Sequence, residues 1–174
     1  MRITARSGRY GIGLFAACAV GATFTAVLSP TPAAAGPDLG SPRCVSFTAL
    51  NEKVLSATST DNDPKGLSLT DSGGYTNALI DAHGKQIGTA TGSSVAVLVR
   101  ASDNHVMAFN TNVDKLIGGD VTENSVMDAT GTVAGATVTE PAVGTSGRYL
   151  GMTGARTYRR IDPQTYVSSI VLCH

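Results

Sequence analysis

The sequence is poor in the side chains that carry most acid–base and metal chemistry: it has three histidines, three cysteines and no tryptophan in 174 residues. None of the histidines has metal-ligand spacing, since His83 sits in a turn, His174 is the last residue and His105 opens a strand beside Asp103. Asp61 and Asp63 begin like a calcium loop, but the position eleven residues after Asp61, where such a loop needs Glu, is Ser72. There is no Gly-x-Ser-x-Gly elbow and no glycine-rich loop opening into a helix, so acyl transfer by the hydrolase route and nucleotide binding are unsupported. No block of Lys and Arg with interleaved aromatics is present, which speaks against nucleic acid as a partner. Sustained helical periodicity is also missing.

The first 35 residues read as a leader. Arg2, Arg6 and Arg9 precede an apolar run from Gly11 to Leu28, followed by Ser29, Pro30, Pro32 and the small-residue site Ala33-Ala34-Ala35. A basic segment, an apolar segment and an A-x-A site form a signal peptide, with cleavage expected near Ala35; an uncleaved membrane anchor is the competing reading. Cys18 follows Phe15-Ala16-Ala17, a poor lipoprotein box. Without the three leader arginines, 10 of the 13 basic residues remain against 13 acidic ones, a net charge of about −3 that gives no reason to expect anionic lipid as a partner. The expected organisation is a signal peptide over 1–35, an extended lead-in over 36–43, and one domain over 44–174, exported and without stable membrane association after cleavage.

What the domain has is alternation. Val45, Phe47 and Ala49 alternate with Ser46 and Thr48 from Cys44 onward, and a polar, turn-rich loop over 59–71 follows that is placed to cap a barrel mouth. Further strands are expected over 74–81, 87–100, 105–113, 125–133, 137–140, 155–162 and 165–172. That makes about eight strands, rich in Thr, Val, Gly and Ser. An all-β domain follows: an eight-stranded antiparallel up-and-down β-barrel with a central cavity, preferred over a sandwich because the turns are evenly spaced and closure removes edges. Cys44 and Cys173 stand near the two ends of this domain. In such a barrel the first and last strands are antiparallel neighbours, so these two cysteines should meet in a disulfide.

Four glycines fall between Gly144 and Gly154, so this stretch is a backbone-determined turn at one barrel end, feeding the strand that carries Arg156, Tyr158 and Arg160. If Tyr158 faces the lumen, so do Arg156 and Arg160. A buried arginine needs an anionic or strongly polar partner. Arg156 therefore meets either a ligand carbonyl or oxyanion, with Tyr158 stacking on the ligand, or an internal carboxylate such as Glu140. Met107 and Phe109 share one face of their strand and Asn110 lies on the other; all three are candidates for lining the cavity, together with Tyr75 and Met152. Tyr149 and Tyr166 suit structural roles.

Glu140 to Gly154 (EPAVGTSGRYLGMTG) resembles the corresponding region of the spirotetronate cyclases, natural Diels-Alderases of small β-barrel fold. Asp81 to Thr89 is similar to their second hairpin. A looser likeness in Gly-Thr-Ser-Gly-Arg-Tyr and Gly154-Ala155-Arg156 links the chain to dirigent proteins and allene oxide cyclases. The resemblance implies a cavity that folds a linear polyene or tetronate polyketide for [4+2] cycloaddition in antibiotic biosynthesis. No cofactor is expected; Arg156 would hydrogen-bond the dienophile's activating carbonyl. Tyr158 stands where these cyclases can carry a pocket Trp, and Phe109 and Asn110 where they carry pocket tyrosines, which implies a smaller, less aromatic cavity. The alternatives are a non-catalytic dirigent-like or carrier barrel for an apolar metabolite, and an allene-oxide-cyclase-like isomerase. A homodimer is compatible with each.

Overall fold

The computed structural model describes residues 43–174; the expected leader and nearly all of the lead-in lie outside the described residues. In chain order the elements are β1 (Cys44–Thr60), β2 (Ser72–Ile80), β3 (Gln86–Val99), β4 (Val106–Leu116), β5 (Gly119–Asp128), a short helix α1 (Ala129–Val133), β6 (Thr137–Gly144), β7 (Thr153–Asp162) and β8 (Thr165–Cys173). Every neighbouring pair is antiparallel and β8 returns to β1, closing an up-and-down barrel. Closure pairs every strand on both sides and removes the open edge that a sandwich would leave. Cys44 and Cys173 are register partners across the β1–β8 seam and form the disulfide.

Strand alternation sorts the lumen into layers, and β4 shows all of them. Val106 and Ala108 face inward near one end, Asn110, Asn112 and Asp114 follow, and Leu116 ends the series. The Leu116 end is plugged by apolar side chains that include Leu50, Leu79, Val121, Tyr149, Met152, Ile170 and Leu172. The middle layer holds the buried polar groups. Above it, toward the end of the barrel where α1 and the β7–β8 turn lie, the lumen opens into a cavity.

The glycine-rich stretch builds the plugged end. It folds back over the barrel in a 3₁₀ turn at Gly147–Tyr149, which drives Tyr149 into the core. The Tyr149 hydroxyl donates to the Ile117 carbonyl at 2.8 Å, and its ring meets Phe47 edge-on at 6.0 Å. Gly144 is required by close approach: a β-carbon there would stand 1.8 Å from the Tyr149 carbonyl oxygen.

Several element boundaries differ from expectation; β4 runs on to Leu116 where 113 was expected, and β5 begins at Gly119 where 125 was expected. The strand expected over 125–133 stops at Asp128, whose carboxylate accepts from Gly131 N–H at 2.7 Å and caps α1. A single five-residue turn is too short to display helical periodicity. The strand expected over 137–140 continues through Pro141 to Gly144. Pro141 lacks an N–H, and the β5–β6 ladder runs only as far as Glu123–Ala142, one residue short of it. Beyond that point the seam is bridged by side chains, with Ser125 Oγ donating to Glu140 at 2.6 Å.

Candidate active site

Arg156 is the centre of the polar layer. On β7 it alternates inward with Tyr158, while Thr157 and Arg159 face out, and only 2% of its surface is exposed. Its Nη2 donates to Glu52 Oε1 at 2.5 Å. Nε lies 3.2 Å from Asp114 Oδ2, off the N–H axis, so this second contact is an ion pair without a hydrogen bond. Burial alone would lower the guanidinium's pKa, but the charges of Asp114 and Glu52 outweigh it and hold the group firmly protonated. The guanidinium carbon stands 5.1 Å from the centre of the Tyr158 ring, a cation–π contact. Tyr158 is itself anchored, its hydroxyl donating to Met127 Sδ at 3.1 Å and its ring edge-on to Tyr166 at 6.4 Å.

The carboxylate that the sequence offered as an internal partner is otherwise engaged. Glu140 is Arg156's register neighbour on β6, but its oxygens take Asn110 Nδ2 at 3.0 and 3.2 Å and the Ser125 hydroxyl. Arg156's own partners are Glu52 from β1 and Asp114 from β4. Below them Asn112 Nδ2 bridges Asp114 at 2.8 Å and Glu123 at 2.7 Å. Burial and then the neighbouring Asp114 charge push Glu123 up to about 8; burial also raises Asp114, against the pull of Arg156. Glu123 is therefore the acid of this layer that keeps its proton near neutrality. Burial raises the Tyr75 and Tyr158 hydroxyls as well, keeping both neutral donors.

Over this layer lies a cavity of about 240 Å³, with Glu52 and Arg156 in its floor. Tyr75, Asn77, Asn110, Met127, Tyr158 and Tyr166 form the wall, and Thr132 of α1 and Pro163 border the mouth. Of the residues singled out from sequence, the structure brings Arg156, Tyr158, Asn110 and Tyr75 together here. Met107 and Phe109 are a correction to the expected lining: alternation that turns Asn110 inward turns both of them to the outer face, where Phe109 is 40% exposed. Met152 is also displaced from that role, because it is packed in the apolar plug. No residue of 61–71 lines the cavity; that loop is hydrogen-bonded to the side of β3 through Thr70 N and Ala96 O.

Sequence reading missed Glu52, Asn77 and Met127. A signal for Glu52 existed, because it occupies the inward series between Leu50 and Val54, where an acid needs a partner. For Asn77 the neighbouring Ala78 and Leu79 are equally buried, so alternation around it is blurred.

The described barrel agrees with a comparison of the whole chain against known proteins. Residues 51–172 match the model of the allene oxide cyclase barrel like domain. The chain belongs to this family. Among solved structures, this allene oxide cyclase barrel like domain is similar to the Diels-Alderase AbmU from Streptomyces koyangensis, with 26% identity over 74% of this chain and a TM-score of 0.69. It spans 63% of that protein's chain. A second likeness is to AbnU, an exo-specific intermolecular Diels-Alderase, with 24% identity, 78% of this chain, 100% of that chain and a TM-score of 0.72. A third is to a nonspecific heme-binding cyclase that catalyses [4+2] cycloaddition during neoabyssomicin biosynthesis, with 26% identity, 76% of this chain, 64% of that chain and a TM-score of 0.70. Haem needs an axial ligand such as His, Cys, Met or Tyr. No histidine or cysteine lines the present cavity; of its Met and Tyr residues, Met127 and Tyr158 are bonded to each other and Tyr75 to Asn112, which leaves Tyr166, edge-on to Tyr158, as the lining side chain of a haem-ligating type without a hydrogen bond among the described residues.

Proposed function

We propose that this barrel is a cyclase that folds a linear polyene polyketide in its cavity and promotes an intramolecular [4+2] cycloaddition without a cofactor. The observation that carries the reading is Arg156, a guanidinium locked by Glu52 and Asp114 in the floor of an otherwise largely apolar cavity. Its Nη1 makes no hydrogen bond among the described residues, and Arg156 lines the cavity, which supports Nη1 as the donor left for a ligand.

A pericyclic step forms two carbon–carbon bonds in one event and moves no proton. The protein's tasks are to hold diene and dienophile at near-attack distance, which can be worth about 7–11 kcal/mol, and to stabilise the charge that develops on the dienophile's carbonyl. The rigid barrel wall, with Tyr158 clamped by Met127 and Tyr166, supports the first task. Arg156 would perform the second by donating to the carbonyl oxygen. Likeness to [4+2] cyclases supports this reading over a dirigent-like carrier or an allene oxide isomerase. The disulfide supports an extracytoplasmic site of action, in keeping with the leader expected over 1–35.

The test is to incubate the purified mature domain with a linear polyene precursor whose dienophile is conjugated to a neutral amide carbonyl. Conversion above the buffer control is expected; conversion equal to it, with the precursor bound, would leave a carrier. Arg156→Lys keeps a cation for Glu52 but loses the planar fork, and should lower kcat about 10- to 100-fold, the value of one charge-assisted hydrogen bond, while the barrel stays folded. An unchanged kcat would remove Arg156 from the reaction.

A further inference from the structure

Three buried asparagines in the lumen are clamped by carboxyl groups in the same sense. Asn110 Nδ2 donates to both oxygens of Glu140 at 3.0 and 3.2 Å, Asn112 Nδ2 to Asp114 and Glu123 at 2.8 and 2.7 Å, and Asn77 Nδ2 to Glu52 Oε2 at 3.2 Å. An ionised carboxylate only accepts, so it dictates which end of each amide faces it, and each carbonyl oxygen must point elsewhere. The Asn112 oxygen takes the Tyr75 hydroxyl at 3.3 Å. Asn77 Oδ1 is buried with no partner. Asn110 Oδ1 likewise takes no hydrogen bond among the described residues, the Tyr75 hydroxyl beside this amide donating to Asn112 instead, and Asn110, itself only 2% exposed, lines the cavity.

The polar layer is thus oversupplied with acceptors. Glu52, Asp114, Glu123 and Glu140 are all at most 2% exposed, and the one buried cation among the described residues, Arg156, already faces two of them. With Glu123 holding its proton, Glu52, Asp114 and Glu140 still outnumber the one guanidinium, so an anionic ligand meets an excess of acidic groups with its natural partner taken. A ligand that brings a proton-bearing group meets an oxygen waiting for it.

We propose that the cavity takes a neutral ligand whose polar end places an N–H or O–H beside a carbonyl: the N–H or O–H donates to Asn110 Oδ1 and the carbonyl accepts from Arg156 Nη1. Asn110 thereby selects the substrate, and Glu140 positions it by holding the amide in the acceptor-inward sense. A free carboxylate at the same end is rejected. This rests on the cavity being the substrate site, as in the proposed function, and not on the cycloaddition step.

Equilibrium binding to the purified mature domain, by calorimetry or NMR titration, tests it with three probes that share one dienyl tail: 2,4-decadienamide, the near-isosteric methyl ketone undeca-3,5-dien-2-one, and 2,4-decadienoate. The amide is expected to bind about tenfold or more tightly than the ketone, the worth of one hydrogen bond to a buried acceptor, and the carboxylate most weakly. Asn110→Leu should abolish the preference for amide over ketone. Equal binding of amide and ketone by the wild-type protein overturns the inference while leaving the cavity as a ligand site, and so does tightest binding of the carboxylate. A preference that survives in Asn110→Leu overturns the assignment to Asn110. If none of the probes binds, the inference and the cavity reading fall together, whereas binding of the amide as expected without turnover of a polyene precursor counts against the cyclase alone. The comparison of probes on the wild-type chain stands even where the variant does not fold.

Discussion

An acid buried without a cation of its own depends on pH in a direction opposite to most surface carboxylates. Glu123 is fully buried, bonded through Asn112, and pushed up to about 8 from an ordinary 4.5 by burial and by Asp114. Between those two values the folded chain keeps a proton that the unfolded chain has released. Unfolding then becomes easier as pH rises, by up to about 1.4 kcal/mol per pH unit for one proton, and levels off above 8. Surface acids such as Asp103, lowered to about 2 by Arg100, lose their contribution only under acid conditions and do not disturb this window. Urea unfolding at pH 5, 7 and 9 should show the wild-type barrel losing stability stepwise, and Glu123→Gln should flatten the trend. A wild-type stability that rises from pH 5 to 9 would show that Glu123 is not held protonated. At this scale the sequence was legible in part. Arg156 announced itself as a cation that must find a partner, but which acid it finds depends on strand register. Glu140 lies directly opposite it and is engaged by Asn110 and Ser125, while Glu52 comes from a strand 104 residues away in the chain.

Among the elements, the turn between β6 and β7 shows how glycines at neighbouring positions do different work. Gly151 has φ +79° and open space around its α-carbon, so Gly151→Ala meets only the left-handed backbone penalty of about 1–2 kcal/mol. Gly144 has no such backbone demand, yet a β-carbon there would be driven into the Tyr149 carbonyl at 1.8 Å, with backbone atoms that cannot swing aside. Gly144→Ala should therefore cost at least the upper part of the roughly 1–3 kcal/mol range for overpacking, and more than Gly151→Ala. Urea midpoints of the two variants check the order; a Gly144→Ala barrel as stable as Gly151→Ala would mean that the 3₁₀ turn over Tyr149 moves freely. Most strands were readable because alternation of apolar and polar residues is strong where one side faces an apolar plug. The exceptions have local causes. The end of β5 reads as strand until Asp128 turns its carboxylate onto Gly131, and β4 alternates so regularly that its phase is ambiguous. Val106, Ala108 and Asn110 against Met107, Phe109 and Thr111 is a choice of faces that hydrophobicity decides wrongly, because the inward series continues through the polar Asn110, Asn112 and Asp114 while the larger apolar Met107 and Phe109 face out.

For the whole molecule the decisive contact is the seam between the first strand and the last. β1 and β8 pair from Cys44–Cys173 to Lys53–Thr165, and only this pairing converts a curled eight-stranded sheet into a closed lumen. It is also the most non-local pairing in the fold. The disulfide at its end joins residues separated by 129 positions, and in the chain-entropy model a loop of that size corresponds to about 5 kcal/mol drawn from the unfolded ensemble. The folded barrel needs the bond little for its shape, since the ladder beside it already holds the two strands together. Its effect should thus appear in stability far more than in architecture. Replacing both cysteines by serine is expected to leave the circular dichroism of the folded state unchanged and to lower the urea midpoint by an amount approaching that value. A barrel of this size stores only about 5–15 kcal/mol in all, so the cysteine-free protein should stand near the edge of folding at 37 °C. If the double serine variant unfolds at the same urea concentration as the wild type, the seam is held by its ladder alone, and the bond has no energetic part in keeping the cavity closed.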